Sequence, residues 1–590
     1  MVPPEEIMVL TYNRSAALEV RRRLWDLVGS DAAGVTIQTL HGLAMRLTGT
    51  SYAVAAAHGE NINFACVIRD ATAYLRKAEQ GGDLGASVAR DRVLSGLRHL
   101  LVDEYQDINA EHYELISAIA GRTLHSEEDK VSLMVVGDDD QNIYAFGGAS
   151  VEFIRRFEAD YSAKRYHLVE NYRSTRHIID CANRVIARSR ERMKSDQEIR
   201  INFGRKNQPA GGEFEARDPL LRGQAHILES EPDLRCEVQH VLDEIRRLAS
   251  LDAGGAAPRW GRFAVIARQW AHLEPMAAIC RLHGVPVRLL RDEHIQNLHT
   301  TREGYRMLSL LKAKSRTARR PRVIVKSGAL ARWFRAAYRV AVDDLIEHPY
   351  RGMLAQFIRE TESEAPGASR VVAELIESLY DYGAGGKSAT NDGAHSPVFL
   401  LTAHRAKGLE FDHVVVLDGA GWGDGADAER RLFYVAATRA RRTLTLCRQV
   451  GRTHRFLADC EALCIKTRSA PVAPDPRLAN RIWIGNPEHV VLSWPGFFSS
   501  NSSTHRSIKN LEVGARLDLR PRGDGKPGWE LIDGQQAPVA HLAMKFAPPN
   551  GRRGAVRVAA IIVREKRAGD PDGMKCDQWE IVIPEIEYVV

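Results

Sequence analysis

The chain lacks any apolar run near the ~20 residues that a membrane-spanning helix needs. Its first residues, MVPPEEIMVL, have neither a basic start nor an adequate apolar stretch, so no signal peptide is expected. Cysteine is sparse, and no second pair joins Cys460 and Cys464 to complete a four-ligand metal site. We therefore expect reduced thiols in a cytoplasmic protein that has no membrane partner.

Length and charge set broader limits. The chain has 590 residues, too many for one hydrophobic core, so several domains are expected. With 44% hydrophobic and 27% charged residues, it has the composition of a globular protein. The net charge of +7 permits nucleic-acid binding without requiring it. A soluble enzyme with a Lys/Arg-rich surface fits that charge equally well.

Two apolar segments end in carboxylates. LLV at 100–102 runs into Asp103 and Glu104, an acid pair of the kind that holds Mg²⁺ and activates a water beside phosphates. About thirty residues later, VVG at 135–137 runs into a second acid cluster with an amide and aromatic residues directly after it. Taken alone, Asp103 and Glu104 could also be a capped strand end or a surface pair.

The apolar pattern predicts two alternating α/β regions, and parallel sheets of this kind bind ligands at the carboxyl ends of their strands. The second region also encloses a helical, basic insert at about 300–395. The predicted elements are strands at 7–11, 35–39, 100–103 and 133–137 with helices at 14–28 and 110–120, then strands at 262–267, 285–290, 398–402 and 413–417 with a helix at 270–283, and linkers at 204–220 and 383–397.

The tail and the basic insert are less specific. From 482 onward, short strand patterns such as VVLSW, RLDLR and WEIVIP alternate with Gly/Pro turns, which predicts a small β-barrel or sandwich. Between Arg302 and Arg339 there are twelve Lys/Arg and one acid, Glu303. That segment either grips duplex phosphates or is a solvated helix face.

Further motifs complete an ordered set: ENYRST at 170–175, LLTAHRAKGLEF at 400–411 and RRLFYVAATRARRTL at 430–444. In this order, over residues 5–450, they resemble the superfamily 1 DNA helicases of the UvrD/Rep type. The resemblance implies an α/β fold with two RecA-like parallel-sheet motor domains, a helical basic insertion and a C-terminal small all-β domain. The implied boundaries are 1–172 for the first motor domain, with a short helical insertion at about 46–98, then 173–300 and 398–465 for the second, 301–397 for the basic insertion and 480–590 for the β-rich domain.

The resemblance also implies catalytic roles, with ATP and Mg²⁺ as cofactors. Asp103 would hold Mg²⁺ and Glu104 would be the general base. Arg173 and Arg439, the latter in a predicted helix, would be arginine fingers; such a finger is worth about 10³–10⁵ in rate. The other implied nucleotide contacts are Gln141 at the γ-phosphate, Tyr172 against the adenine, Glu410 near the ribose, and Asp138.

For DNA, the resemblance places aromatic and polar side chains on a single strand, where stacking is indifferent to base sequence. The implied partners are single-stranded and forked DNA. The implied contacts are Tyr12, His41, Tyr144, Phe146, Thr402 and His404.

One family motif has no counterpart in its expected place. The phosphate loop, G-x-x-x-x-G-K-[ST], should stand on a strand before LTYNRSAA, but only nine residues precede that motif. The GAGGKS segment at 383–388 fails because Asp381 occupies the first glycine's position. We therefore expect a first motor domain truncated at its N-terminus and weak ATP hydrolysis by this chain alone. A fragment or split helicase, with an upstream polypeptide that supplies the loop, is favoured over a start codon placed too late or a degenerate copy.

Three functions follow in order of preference. The first is an ATP-dependent DNA helicase or translocase that moves 3′ to 5′ in DNA repair or recombination. The alternative is an ATPase-deficient DNA-binding or scaffold protein on a degenerate helicase fold. A nuclease–helicase ranks last because residues 470–590 show no Asp/Glu/Lys cluster of the expected kind.

Overall fold

The computed structural model describes the chain except for residues 1, 52–61, 80–92, 124–129, 191, 196, 291–295, 318–322, 345, 347, 364–366, 368, 383–396, 424–425, 453, 524, 568 and 590. The GAGGKS segment and all of the predicted linker at 383–397 but its last residue lie outside this description. No helix in the described part is both long enough and apolar enough to cross a membrane.

The described elements are numbered in chain order. The helices are α1 (Arg14–Val28), α2 (Leu40–Thr48), α3 (Phe64–Glu79), α4 (Ala110–Ile119), α5 (Glu152–Tyr161), α6 (Arg176–Ile186), α7 (Phe214–Arg217), α8 (Leu234–Ala253), α9 (Trp270–Leu282), α10 (Arg302–Thr317), α11 (Ala329–Tyr338), α12 (Pro349–Ser363), α13 (Val372–Asp381), α14 (Ala403–Ala406), α15 (Asp427–Ala437), α16 (Arg455–Cys460) and α17 (Ser503–Asn510). The strands are β1 (Ile7–Thr11), β2 (Thr36–Thr39), β3 (His99–Val102), β4 (Ser132–Val135), β5 (Glu170–Asn171), β6 (Arg200–Ile201), β7 (Ala225–Ser230), β8 (Phe263–Ala267), β9 (Val287–Leu289), β10 (Ile324–Val325), β11 (Arg370–Val371), β12 (Val398–Thr402), β13 (Phe411–Val416), β14 (Ala440–Gln449), β15 (Cys464–Arg468), β16 (Asn480–Ile484), β17 (Arg516–Pro521), β18 (Trp529–Ile532), β19 (Pro538–His541), β20 (Arg552–Glu565) and β21 (Gln578–Val589).

These elements form two compact units. The first unit comprises residues 1–48, 64–290 and 387–479, and the second comprises residues 49–63, 291–386 and 480–590. Both α/β regions predicted from the sequence lie in the first unit. The basic insertion and the β-rich tail lie together in the second.

The first sheet has four parallel strands in the order β2-β1-β3-β4. Leu10 stands opposite Val102, and Val102 stands opposite Val135, so the carboxyl ends of three strands are level. That register places the residues following each strand along one edge of the sheet. The predicted strand–helix–strand pattern is confirmed here.

Local chemistry explains where the flanking helices begin. The Asn13 side chain accepts a hydrogen bond from the Ala16 backbone N–H and so caps α1. Asn109 caps α4 in the same way, and the His112 side chain accepts a hydrogen bond from the Asn109 backbone N–H in return. Such caps satisfy backbone N–H groups that have no partner within the helix.

The second sheet has seven parallel strands in the order β15-β7-β14-β13-β8-β12-β9. β8 and β12 are buried at every position, as expected of central strands covered on both faces. The four strands predicted in this region all belong to the sheet, while β7 and β15 were not predicted. Its two faces pack two large apolar cores that share no residue among those described.

Two local predictions are wrong. The 204–220 stretch is no simple linker, because it contains α7 and its Phe214 is 0% exposed in the core. VVLSW does not form a strand. Val490 makes only an isolated bridge to Leu542, and a 3-10 turn runs from Trp494 to Phe497.

The second unit joins the insertion to the tail. The tail forms a six-stranded antiparallel sheet in the order β16-β21-β20-β17-β18-β19. The Arg302 guanidinium, at the start of α10, lies 2.7 Å from the Glu580 carboxylate on β21. Arg302 also donates to the carbonyl oxygens of Ile508 and Leu511. Part of the predicted basic stretch is therefore a buried structural contact.

Candidate nucleotide and DNA site

The acid pair follows β3 directly. The Asp103 carboxylate accepts a hydrogen bond of 2.9 Å from the Glu104 backbone N–H, and the Glu104 carboxylate accepts one from the Gln106 side chain. Burial and the neighbouring Glu104 charge raise the pKa of Asp103. Glu104 has a φ of 52°, in the left-handed region that costs a residue with a Cβ free energy. Backbone strain at a carboxylate is typical of a functional turn.

The carboxylates that follow β4 form ion pairs with Lys and Arg side chains. Asp138 forms an ion pair with Lys194, and Arg192 makes two hydrogen bonds to Asp140, at 2.8 and 2.9 Å. Asp138 also accepts a hydrogen bond of 2.7 Å from Gln141. Asp138 therefore orients Gln141 and anchors the 192–194 segment, and its backbone N–H donates at 2.9 Å to the Gln106 side chain, which in turn donates to Glu104.

Arg439 reaches Gln141 across the two sheets of the first unit. Its Nη2 donates to Gln141 Oε1 at 3.2 Å, and its Nε donates to the Val435 carbonyl at 2.9 Å. Burial, followed by the like charge of Arg173, lowers the pKa of Arg439 to about 10, whereas the Glu104 charge acts in the opposite direction. The structure thus brings Arg439, Arg173, Glu104 and Gln141 together. The prediction that Arg439 lies in a helix is wrong, because α15 ends at Ala437.

Arg173 and Glu410 also meet. Arg173 Nε lies 2.5 Å from Glu410 Oε2, and Arg441 approaches the other Glu410 oxygen at 3.7 Å. Tyr172 is 72% exposed, which leaves its ring face accessible for stacking. Arg173 is thus held by Glu410 at the edge of the site.

Lys407 is a buried cation to which the sequence analysis gave no role. Its Nζ donates to Asp107 Oδ1 at 2.6 Å and to the Gln141 carbonyl at 2.8 Å. Its side chain is 4% exposed, and that of Asp107 is 2% exposed. Lys407 ties the β12–β13 connection to both acid motifs. The position of Lys407 in the LLTAHRAKGLEF motif was a sequence signal that it could be functional. Its partner, Asp107, can be identified only from the fold.

Three of the predicted DNA contacts form an aromatic cluster: Tyr12, Tyr144 and His404. The Tyr12 and Tyr144 rings stack at 5.9 Å with an angle of 18°, and the Tyr144 and His404 rings lie 6.4 Å apart. The Tyr144 hydroxyl donates to the His404 carbonyl at 3.3 Å. Thr402, at the end of β12, is only 7% exposed. The Phe146 side chain lies outside the described residues.

His41 belongs to a separate aromatic group. Its ring contacts Phe64 at 5.0 Å and His112 at 5.3 Å, both edge-on. Burial and the neighbouring His41 lower the pKa of His112 to about 4. The Tyr12 ring meets His112 at 6.3 Å, so this group adjoins the aromatic cluster.

Stretches in both α/β regions match family models of helicase domains. Residues 1–80 and 50–162 match the UvrD/REP helicase N-terminal domain, and residues 397–447 match the UvrD-like helicase C-terminal domain. These two stretches of the chain are similar to the domains of UvrD-type helicases. Asp103, Gln141 and the aromatic Tyr144 lie in the N-terminal match, and Lys407 and Arg439 lie in the C-terminal match.

Curated relatives of these UvrD-type domains are helicases by name. "ATP-dependent DNA helicase UvrD1" of Mycobacterium leprae is 26% identical over 461 residues, covering 60% of this chain and 56% of that protein. The Mycobacterium tuberculosis protein of the same name is 29% identical over 31% of this chain and 33% of its own length. "DNA helicase II" of Haemophilus influenzae is 43% identical over 96 residues, 12% of that protein. The matches thus span at most about half of these three relatives.

Proposed function

We propose that this chain is the core of an ATP-driven DNA translocase of the UvrD type, which moves 3′ to 5′ on single-stranded DNA and acts in repair or recombination. One observation carries the proposal: Arg439 contacts Gln141 beside Glu104, although Glu104 and Gln141 follow strands of the first sheet and Arg439 directly precedes β14 of the second. A site shared between two sheets links the state of a bound nucleotide to the spacing of the lobes.

In this proposal, Glu104 activates the attacking water, and Gln141 contacts the γ-phosphate. Arg173 and Arg439 stabilise the negative charge that develops on the phosphoryl oxygens. Cations that are already held in position do this most effectively. Arg173 must first leave Glu410, to which it is bound at 2.5 Å. Glu410 is then free to approach the ribose, with Tyr172 against the adenine.

The acid pair suits a magnesium ion. Among the described residues, no Lys or Arg forms an ion pair with Asp103 or Glu104, and burial raises the pKa of Asp103. A divalent cation would relieve the repulsion between the two carboxylates, and Mg²⁺ prefers such oxygen ligands. Asp103 would hold the ion, which would supply charge stabilisation at the phosphates.

We further propose that a polypeptide carrying a phosphate loop pairs with the outer edge of β4. On the described chain, β4 pairs only with β3, and Met134 and Val136 are 58% and 41% exposed. An open strand edge with exposed apolar side chains is a template for a further strand. A strand at that edge would deliver its loop beside Asp103 and Asp138.

The aromatic cluster is the proposed contact with single-stranded DNA. Stacking on Tyr12, Tyr144 and His404 is worth about 1–3 kcal/mol per base and ignores base identity. The same loops carry Gln141 and Lys407, so a change at the nucleotide site can reach the DNA through one short segment. Forked DNA would present such a strand at its junction.

The test is to complete the motor. A strand–phosphate-loop–helix segment from a UvrD-type helicase is fused ahead of residue 1, and ATP turnover is measured with and without single-stranded DNA. We expect DNA-stimulated turnover in the fusion, and its loss by about 100-fold or more in Glu104→Gln, since a general base contributes about 10²–10⁴. DNA affinity should be unchanged in that variant.

The controls are a fusion whose loop lysine is replaced by alanine, which should be inactive, and Glu152→Gln on the exposed face of α5, which should be fully active. A folded fusion that binds single-stranded DNA but never hydrolyses ATP would favour the alternative, an ATPase-deficient DNA-binding or scaffold protein. Full turnover in Glu104→Gln would remove Glu104 as the base.

A further inference from the structure

Three cysteines meet in the first unit, one of them distant in sequence from the other two. Cys181 lies on α6, Cys460 is the last residue of α16, and Cys464 is the first residue of β15. Cys181 and Cys460 are both 0% exposed, and Cys464 is partly exposed. Cys460 and Cys464 are close in sequence, and α6 adds the third thiol.

The spacing of the three thiols is that of a coordination site. The three sulfur atoms all lie within 4.8 Å of one another. A zinc-group ion bound to thiolates lies about 2.3 Å from each sulfur, so sulfurs joined by one ion stand about 4 Å apart. A single structural disulfide would need only two of these thiols and a much shorter sulfur–sulfur distance.

We propose that Cys181, Cys460 and Cys464 bind one divalent ion of the zinc group through three thiolates. Among the described residues the cluster contains no fourth His, Cys, Asp or Glu. The fourth position is therefore left to water, or the ion is three-coordinate. Soft sulfur ligands select thiophilic ions and reject Mg²⁺ and Ca²⁺.

The charge balance favours a divalent ion. Three thiols that bind a divalent ion through their sulfurs release three protons to solvent, and the loaded site carries one negative charge. A monovalent ion with three thiolates would leave two negative charges in an apolar core, which is costly.

The surroundings suit a bound ion. Val185, Phe456 and Leu457 belong to the same buried cluster as Cys181 and Cys460, so the sulfurs are shielded from solvent on that side. Cys464, on the edge strand β15, is the exposed member and offers the route of entry. The ion would fasten α6, which begins three residues after Arg173, to the end of the sheet.

The experiment uses the full chain, reduced, metal-free and anaerobic, titrated with Cd²⁺ as the probe. We expect an ultraviolet sulfur-to-cadmium charge-transfer band that saturates at one equivalent, and reversal by excess Zn²⁺. Cys181→Ser, Cys460→Ser and Cys464→Ser should each weaken Cd²⁺ binding by tenfold or more. Cys280→Ser and Cys447→Ser, two buried thiols outside the cluster, are the matched controls and should bind like the wild type.

A second measurement needs no variant. Cd²⁺ should protect Cys464, the partly exposed thiol, from alkylation of the native chain, as read by mass spectrometry of its peptide. No saturation at one equivalent, saturation that survives all three substitutions, or a disulfide between two of the three cysteines in the purified chain would each overturn the proposal. None of these readouts depends on ATP hydrolysis, so they test the metal site separately from the proposed motor.

Discussion

At the scale of single residues, Lys407 shows what the site requires. Its ammonium is buried against the Asp107 carboxylate at 2.6 Å and lies 5.2 Å from the centre of the Tyr144 ring. A buried ion pair adds little net stability compared with apolar side chains, but removing one partner leaves an uncompensated charge. Lys407 is thus a point at which the folding of the site can be tested.

We predict that Lys407→Met lowers stability by about 3–5 kcal/mol, because it leaves the Asp107 charge buried and unpaired. The double variant Asp107→Asn/Lys407→Met should be more stable than the sum of the two single changes predicts, since the two residues interact directly. Thermal unfolding of the four proteins completes the cycle.

Lys466→Met is the comparison for this cycle. Lys466 pairs with Glu461, and the Lys466 side chain is 46% exposed. Exposed ion pairs contribute about 0–1 kcal/mol to stability. A loss at Lys407 no larger than at Lys466, or strictly additive effects of Lys407 and Asp107, would contradict the interpretation.

The candidate nucleotide site shows how much of a site can be predicted from the sequence. Asp103, Glu104, Gln141, Arg173 and Arg439 were chosen as a set from ordered motifs, and the fold does bring the last four together. The neutralisation of Asp138 and Asp140 was not predicted. Their partners, Arg192 and Lys194, lie more than fifty residues away in a segment without a motif.

At the scale of elements, one carboxylate near the end of α8 joins that helix to the second sheet. The Asp252 side chain is 2% exposed and accepts from Arg262 at 2.8 Å, with Arg442 at 3.3 Å and His413 at 3.8 Å. Burial alone raises the pKa of Asp252, but hydrogen bonds from His413 and Arg262 outweigh it and hold that pKa well below its usual range.

The lowered pKa of Asp252 fixes the sign of a pH effect. The unfolded carboxylate protonates near pH 3.9, above the folded value, so the stabilisation is complete at neutral pH and is lost as the pH falls below about 4. We predict that Asp252→Asn lowers the unfolding temperature at pH 7, and that the gap from the wild type narrows at pH 3.

Asp243→Asn, on the exposed face of the same helix, is the matched control and should leave the unfolding temperature unchanged at both values. A gap that is equal at pH 7 and pH 3 would show that Asp252 stabilises the fold by packing rather than by charge.

Element prediction succeeded where periodicity was strong. β8 and β12 read as almost continuous apolar runs, as is typical of central parallel strands, and β13 ends in three consecutive valines. It failed at β15, whose CIKTR sequence is half exposed at the edge of the sheet and carries no apolar signal. Nor does VVLSW form a strand, although its residues favour β structure, because tertiary pairing outweighs local propensity.

At the scale of the whole molecule, the surplus of seven positive charges bears on DNA binding without ATP. Neutralising phosphates releases counterions, so affinity falls steeply with salt. We predict that the chain alone binds single-stranded DNA of unrelated sequences with equal affinity, and that raising the salt from about 50 to 200 mM weakens binding by about 100-fold, as for roughly five phosphate contacts. Fluorescence anisotropy measures both.

Tyr166→Ala, at a tyrosine 72% exposed outside the aromatic cluster, is the control for Tyr12→Ala in this assay. Only Tyr12→Ala should weaken binding, by about 5- to 100-fold, for the loss of one stacked base. Binding that depends on base sequence, or that ignores salt, would contradict this account of the DNA contact.

The second sheet is interrupted by a long stretch of chain, yet its hydrogen bonding ignores the interruption. Leu289, at the end of β9, stands directly opposite Leu400 on β12, although more than a hundred residues separate them. The intervening chain therefore departs from and rejoins two adjacent strands. An insertion at this point can change in length, or be replaced, without altering the hydrogen bonds between β9 and β12.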